Sequence, residues 1–107
     1  MLPLTNMAIA KLSDDLSRII SEPVEIFRAD SPSWTNERVT DGCFMHRSSD
    51  GGLMMLWSNF EENGYCIGIA HSHNGEVSGQ WVHEDAPLHK RNDIDRHDGG
   101  HGMIFTD

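Results

Sequence analysis

Basic residues are scarce in this 107-residue chain. Eight lysines and arginines stand against seventeen aspartates and glutamates, which gives a formal charge of −9. An acidic surface of this kind repels nucleic acid and anionic membranes, so we expect neither as a partner. A neutral ligand such as a sugar is compatible with the charge.

Cysteines and long apolar runs are also few. Cys43 and Cys66 are too few for a disulfide framework, and both lie within apolar runs, which predicts two small buried side chains. No run approaches the roughly 20 apolar residues that span a bilayer. Residues 1–10 lack the basic start and apolar stretch of a signal peptide, so the sequence leaves the localisation open. The length fits one domain with a modest core.

Short apolar runs separated by Gly, Asn, Asp and Ser fill the segment 39–105. This rhythm is typical of a small antiparallel sheet. Residues 53–60 and 65–72 are apolar on both faces, which indicates that both sides of the sheet are covered. The sequence predicts four strands in this segment, at residues 42–47, 53–60, 65–72 and 80–83.

Shorter runs flank this four-stranded unit. Residues 7–12 and 23–27 predict strands, and residues 103–105 predict the start of another. Residues 12–20 are ambiguous, because Ser13 could cap a helix of at most two turns. The predicted fold class is all-β: a partial β-propeller with one complete four-stranded antiparallel blade and strands of the preceding and following blades. The predicted divisions are 7–27 for the end of one blade, 39–83 for the complete blade, and 99–107 for the start of the next.

The ordered motifs of this chain resemble the five-bladed propeller glycosidases of glycoside hydrolase family 43, which are arabinanases, arabinofuranosidases and xylosidases. The motifs are TDGCFMHRSSDGGLMMLWSNF, GYCIGIAHS, GQWVH and GGHGMIF. The similarity covers residues 7–107 and about the middle third of a family catalytic domain. It implies inverting hydrolysis of arabinosyl or xylosyl linkages in plant polysaccharides or oligosaccharides by three acids from different blades.

The resemblance assigns roles to two residues of the chain. It implies that Asp41 holds the position of the general acid, although Asp-Gly-Cys replaces the more common Glu-Gly-Pro. It implies that His101 lies near the funnel axis, where it binds substrate and faces a metal ion, often calcium. The general base and the third acid have no counterparts in residues 7–107, so we expect this segment to be inactive by itself.

Each candidate residue also has a structural interpretation. Asp41 could cap a turn by accepting backbone N–H bonds, and His101 could be a hydrogen-bonded turn residue. Trp34, in a polar loop, could cover the core or offer its ring as a sugar-binding platform. Trp57 and Trp81 lie in predicted strands and are expected in the core. The spacing of the other histidines matches no compact zinc motif.

A different class of function also fits the sequence. A single blade would leave two apolar faces in water, and this favours self-association or contact with further blades. The alternative to a hydrolase is therefore a non-catalytic carbohydrate-binding or self-assembling blade module.

Overall fold

The computed structural model describes residues 3–91 and 96–106, and in these residues the fold is all-β with six strands in two antiparallel sheets. The smaller sheet has two strands, and the larger sheet has four strands that neighbour one another in chain order. None of the described residues is helical, so none lies in a helix that could cross a membrane. The strands are β1 (Asn6–Ile9), β2 (Val24–Arg28), β3 (Asp41–Arg47), β4 (Leu53–Glu61), β5 (Gly64–Ser72) and β6 (Trp81–His83).

This architecture confirms the predicted fold class. The four-stranded sheet corresponds to one blade of a β-propeller, and β1 and β2 pack against it as part of a second sheet. The predicted strands at 42–47, 53–60, 65–72 and 80–83 coincide with β3 to β6 within one residue at each end. The division of the chain into parts of three blades stays a prediction.

Residues 11–20 form a local turn structure rather than a helix, so the interpretation of Ser13 as a helix cap is wrong. Leu12 and Ile19 form an isolated antiparallel bridge, and Leu16 has a left-handed backbone with φ 63°. The cause is local hydrogen bonding by short polar side chains, which competes with helix formation. The Ser13 hydroxyl donates to Asp15 Oδ1 at 2.7 Å, and the same oxygen accepts the Ser17 N–H at 3.1 Å.

Residues 103–105 were expected to start a strand, and the structure contradicts this. They have no regular structure, and 69% of Met103 and 82% of Phe105 is exposed. A strand forms only when a neighbouring strand bonds its backbone groups, and no such neighbour exists in the part of the chain that the structure describes.

Side chains alternate between the two faces of a strand, and both faces of β4 are buried. Met55 and Trp57 point toward the β1–β2 sheet, whereas Leu56 and Ser58 point to the opposite face, and all four are buried. Trp57 and Trp81 belong to the core, as predicted. The buried cluster between the two sheets consists of Met7, Phe27, Leu53, Met55, Trp57, Ala70 and Trp81.

The two cysteines differ in their surroundings. Cys66 is buried and free, and burial raises the pKa of its thiol to about 11. Cys43 is also free but exposed, so the prediction that both are buried is wrong for Cys43. Its strand, β3, is an edge strand of the sheet. The pairing register shifts between Asp41 and Phe44, and Cys43 lies within this irregularity.

His83 on β6 contacts the aromatic residues between the two sheets. Its ring packs edge-on against Phe27, with ring centroids 4.6 Å apart, and lies 5.5 Å from the ring of Trp57. Neither ring nitrogen has a hydrogen-bond partner among the described residues. Burial therefore lowers the pKa of His83, because a charged imidazolium would be poorly solvated there.

We expect the free energy of unfolding to fall as the pH drops from about 7 toward 5. The unfolded chain binds a proton at His83 near its ordinary pKa of about 6.5, whereas the folded chain binds it only at lower pH. Side-chain hydrogen bonds lower the pKa values of several carboxylates, so those groups titrate below this window. They are Asp15, Glu25, Asp41 and Asp50.

Urea unfolding at a series of pH values measures this effect. His83→Phe keeps an aromatic ring at the site and should flatten the dependence between pH 5 and 7. His73→Asn, at an exposed turn residue, should leave it unchanged. An unaltered slope in His83→Phe would show that His83 does not cause it.

Candidate functional site

Asp41 lies at the first position of β3, where an irregular backbone directs its carboxylate outward. The Asp41 side chain is exposed, and its Cα pairs with that of Ser58 on β4. Gly42 has a left-handed backbone with φ 56°, a conformation that glycine adopts without strain. Its N–H donates to Asp41 Oδ1 at 2.9 Å. This carboxylate–backbone bond is the turn-type contact expected of a structural aspartate.

The Tyr65 hydroxyl holds the other carboxylate oxygen. It donates to Asp41 Oδ2 at 2.8 Å, and Tyr65 lies on β5, two strands away from β3. Both oxygens of Asp41 thus accept a hydrogen bond from a group of the same sheet, and the carboxylate plane is fixed from two sides.

His101 contacts the same corner of the sheet. A Cβ atom at Gly42 would lie 2.8 Å from both Cα and Cγ of His101, so the two backbones meet closely only because residue 42 is glycine. His101 itself has φ 58°, an uncommon conformation for a residue with a side chain. Its N–H donates to Ser58 Oγ at 2.8 Å. The structure therefore brings Asp41 and His101 together, although they are far apart in sequence.

Ser58 and Tyr65 complete the cluster, and the sequence analysis missed both. Ser58 is fully buried and accepts the His101 N–H at 2.8 Å. It pairs with Ile67 on β5, so it shares one face of the sheet with Tyr65, two residues along. Tyr65 in turn donates to Asp41, and the four residues form one cluster. The polar Ser58 within the apolar run 53–60 was the sequence signal that could have indicated this cluster.

The electrostatics of the cluster favour an ionised Asp41. The bond from Tyr65 holds the pKa of Asp41 below its ordinary value, the Gly42 N–H and the nearby His101 act in the same direction, and burial opposes them. The pKa of Tyr65 is raised by burial and by the bond to Asp41. A general acid must carry a proton at the working pH, whereas the described surroundings of Asp41 stabilise the carboxylate.

Trp34 lies on the opposite face of the four-stranded sheet from His101. Its ring packs against Trp57 with centroids 5.7 Å apart, and a Cβ at Gly68 would lie 2.5 Å from Trp34 Cζ2. This contact agrees with the interpretation of Trp34 as a cover over the core. The structure does not bring Trp34 to Asp41 and His101, and its contact with sugar stays a prediction.

A calcium ion at His101 stays a prediction. Calcium takes six to eight oxygen ligands. Among residues 3–91 and 96–106, no three His, Cys, Asp or Glu side chains converge in a way that could hold a metal ion. We therefore assign no chemical step to a metal at His101.

A blade-like sheet with a charged cluster at the start of its first strand defines the chain as part of a β-propeller. In structure it is similar to the endo-arabinase from Bacteroides thetaiotaomicron, with a TM-score of 0.84 and 36% sequence identity. The match covers 95% of this chain and 37% of that chain, so the chain spans little more than a third of the length of this relative. No protein-family model and no curated protein matches the chain.

Proposed function

We propose that the chain is part of an arabinan-acting glycoside hydrolase of the propeller type, and that Asp41 supplies one carboxyl group of its site. The observation that carries this proposal is the 36% identity to an endo-arabinase over 95% of the chain. The cluster of Asp41 and His101 at one corner of the sheet supports it, because it places an exposed carboxylate and an imidazole side by side. Xylan is the less supported substrate.

An inverting hydrolase needs two carboxyl groups roughly 6.5–9.5 Å apart, one on each side of the glycosidic bond. Asp41 is one such group, and the resemblance to family 43 implies the role of general acid. Its pKa would then have to be raised by a second carboxylate placed close to it, because like charges disfavour ionisation. We propose that the neighbouring blades of the complete site supply that charge, and that His101 bonds a sugar hydroxyl.

A non-catalytic carbohydrate-binding module is the second candidate. It is favoured by the lowered pKa of Asp41, since an ionised carboxylate is a strong acceptor for sugar hydroxyls but a poor proton donor. The two candidates share the binding site and differ only in turnover.

We expect arabino-oligosaccharides to shift the NMR amide signals of Gly42, Tyr65 and His101 in the 107-residue chain, and to do so more than xylo-oligosaccharides. Asp41→Asn should weaken this binding about tenfold, because a hydrogen bond to a charged acceptor contributes about 1.5–3 kcal/mol. Asp50→Asn is the matched control. Asp50 is also an exposed aspartate bonded by a hydroxyl and a backbone N–H, but it lies in the turn after β3.

Two outcomes would count against the proposal. Equal weakening by Asp50→Asn would point to a general charge effect, and the absence of shifts with arabino-oligosaccharides would remove the arabinan assignment. In the same samples we expect no hydrolysis of aryl arabinofuranosides, because the resemblance to family 43 implies three acids and assigns only one of them, Asp41, to this chain. Turnover that Asp41→Asn abolishes would contradict this and exclude the binding-module candidate.

A further inference from the structure

We propose that Tyr65 is a positioning residue for Asp41. The inference rests on the proposed function, in which the Asp41 carboxylate meets the sugar. It assigns a role in the site to a tyrosine on a different strand, which no motif of the sequence indicates.

The first step of the argument is the reach of the tyrosine side chain. Asp41 is on β3 and Tyr65 is on β5, so β4 separates them. Neighbouring strands lie about 4.8 Å apart, and a contact from β5 to β3 must cross two such spacings. Tyrosine carries its hydroxyl at the end of a long rigid ring and bridges this gap with a 2.8 Å bond to Asp41 Oδ2.

The second step is that the tyrosine ring is held by its neighbours. Gly100 lies against the edge of the ring, and the ring of Phe60 packs on it with centroids 5.0 Å apart. The buried Ser58, which accepts the His101 N–H at 2.8 Å, shares the same face of the sheet. The ring is thus packed in place, and its hydroxyl ends on the Asp41 carboxylate.

The third step concerns what remains free on Asp41. Oδ1 is bonded by the Gly42 N–H and Oδ2 by Tyr65, while the side chain stays exposed. Each carboxylate oxygen has capacity for further bonds. The two protein donors therefore set the direction in which the remaining lone pairs face a ligand, and loss of the Tyr65 hydroxyl would leave the carboxylate held by the Gly42 N–H alone.

Tyr65→Phe tests this directly, because it removes one oxygen atom and keeps the ring that Gly100 contacts. We expect the pKa of Asp41, followed by NMR of its carboxyl carbon in the sugar-free chain, to rise by about one pH unit. This corresponds to loss of a hydrogen bond to a charged acceptor. Affinity for arabino-oligosaccharides at pH 7 should fall about tenfold. Ser58→Ala, which keeps the Tyr65–Asp41 bond but removes the acceptor of the His101 N–H, should shift the Asp41 titration by less.

Thr35→Val is the control for general destabilisation. Thr35 is buried, its hydroxyl donates to the Phe60 carbonyl at 2.6 Å and accepts the Glu37 N–H at 3.0 Å, and these bonds include neither Asp41 nor Tyr65. We expect it to lower the unfolding midpoint and leave the Asp41 titration in place. An unchanged Asp41 pKa in Tyr65→Phe would overturn the proposal. If the wild-type chain binds no sugar, the proposed function fails, while the titration still decides whether Tyr65 positions Asp41.

Discussion

Replacing Asn59 by leucine should lower the free energy of unfolding by about 3–5 kcal/mol, because several buried backbone groups would lose their partner at a cost of about 1–3 kcal/mol each. Asn59 is fully buried on β4. Its amide nitrogen donates to the carbonyls of Ala29 at 3.1 Å and Glu37 at 3.3 Å. Its amide oxygen accepts the N–H of Val39 at 3.3 Å. One side chain thus ties the segment 29–39 to the sheet.

Urea unfolding followed by far-UV circular dichroism measures this loss. Asn59→Asp is the matched variant, since it keeps the shape of the side chain but places a carboxylate oxygen against the two carbonyls. We expect it to destabilise the chain about as much as leucine does. Asn36→Leu, at an exposed loop residue, should change stability by less than about 0.5 kcal/mol. Wild-type stability in Asn59→Leu would show that the loop 29–39 is held by other contacts.

This bond network has a consequence for the site. The segment held by Asn59 leads directly into β3, which begins at Asp41. If the loop is released, the start of β3 loses its fixed position relative to Ser58. We therefore expect Asn59 variants that still fold to bind arabino-oligosaccharides less well, although Asn59 is buried below the surface.

Ser58 and Asn59 are two site and loop contacts that the sequence could have indicated in part. They are adjacent polar residues in the apolar run LMMLWSNF. Because neighbours in a strand point to opposite faces, one polar anchor serves each face of β4. Asn59 holds the loop on the side of the β1–β2 sheet, and Ser58 holds His101 on the other side. This pattern of two polar residues in an apolar run could have indicated two buried polar side chains, but the sequence analysis did not draw it, and tertiary packing sets their partners.

The strands were predictable for a different reason. The runs that became β4 and β5 are apolar on both faces and bounded by turn residues, so local pattern and burial agree. The sequence analysis did worse where local hydrogen bonds or strand irregularities determine the structure. The short polar side chains after Leu12 form a turn instead of the possible helix. The irregular start of β3 leaves Cys43 exposed, although it was expected to be buried. Asp41 and His101 were indicated by the resemblance to family 43, whereas Tyr65 was missed because it reaches Asp41 across an intervening strand.

Trp57→Ala should have an effect of similar size on stability, about 3–5 kcal/mol, which is a large fraction of the about 5–15 kcal/mol that is typical of a folded domain. Trp57 is fully buried, and its ring lies 5.0 Å from Phe27, 5.7 Å from Trp34 and 5.5 Å from His83. Trp57 therefore contacts both the β1–β2 sheet, through Phe27, and the loop residue Trp34. An alanine would leave a cavity at the point where these three rings converge.

A comparison of Trp57→Ala with Trp57→Phe distinguishes a packing effect from a hydrogen-bonding effect. Trp57 Nε1 has no hydrogen-bond partner among the described residues, so Trp57→Phe breaks no bond and removes only part of the ring. We expect it to cost about 1–2 kcal/mol, clearly less than alanine. Leu16→Ala, at a side chain that is 72% exposed, should be nearly neutral. Far-UV circular dichroism is the suitable signal, because tryptophan fluorescence changes with the mutation itself. Equal losses in the alanine and phenylalanine variants would mean that Trp57 stabilises the chain through a polar contact, because packing alone predicts a graded loss.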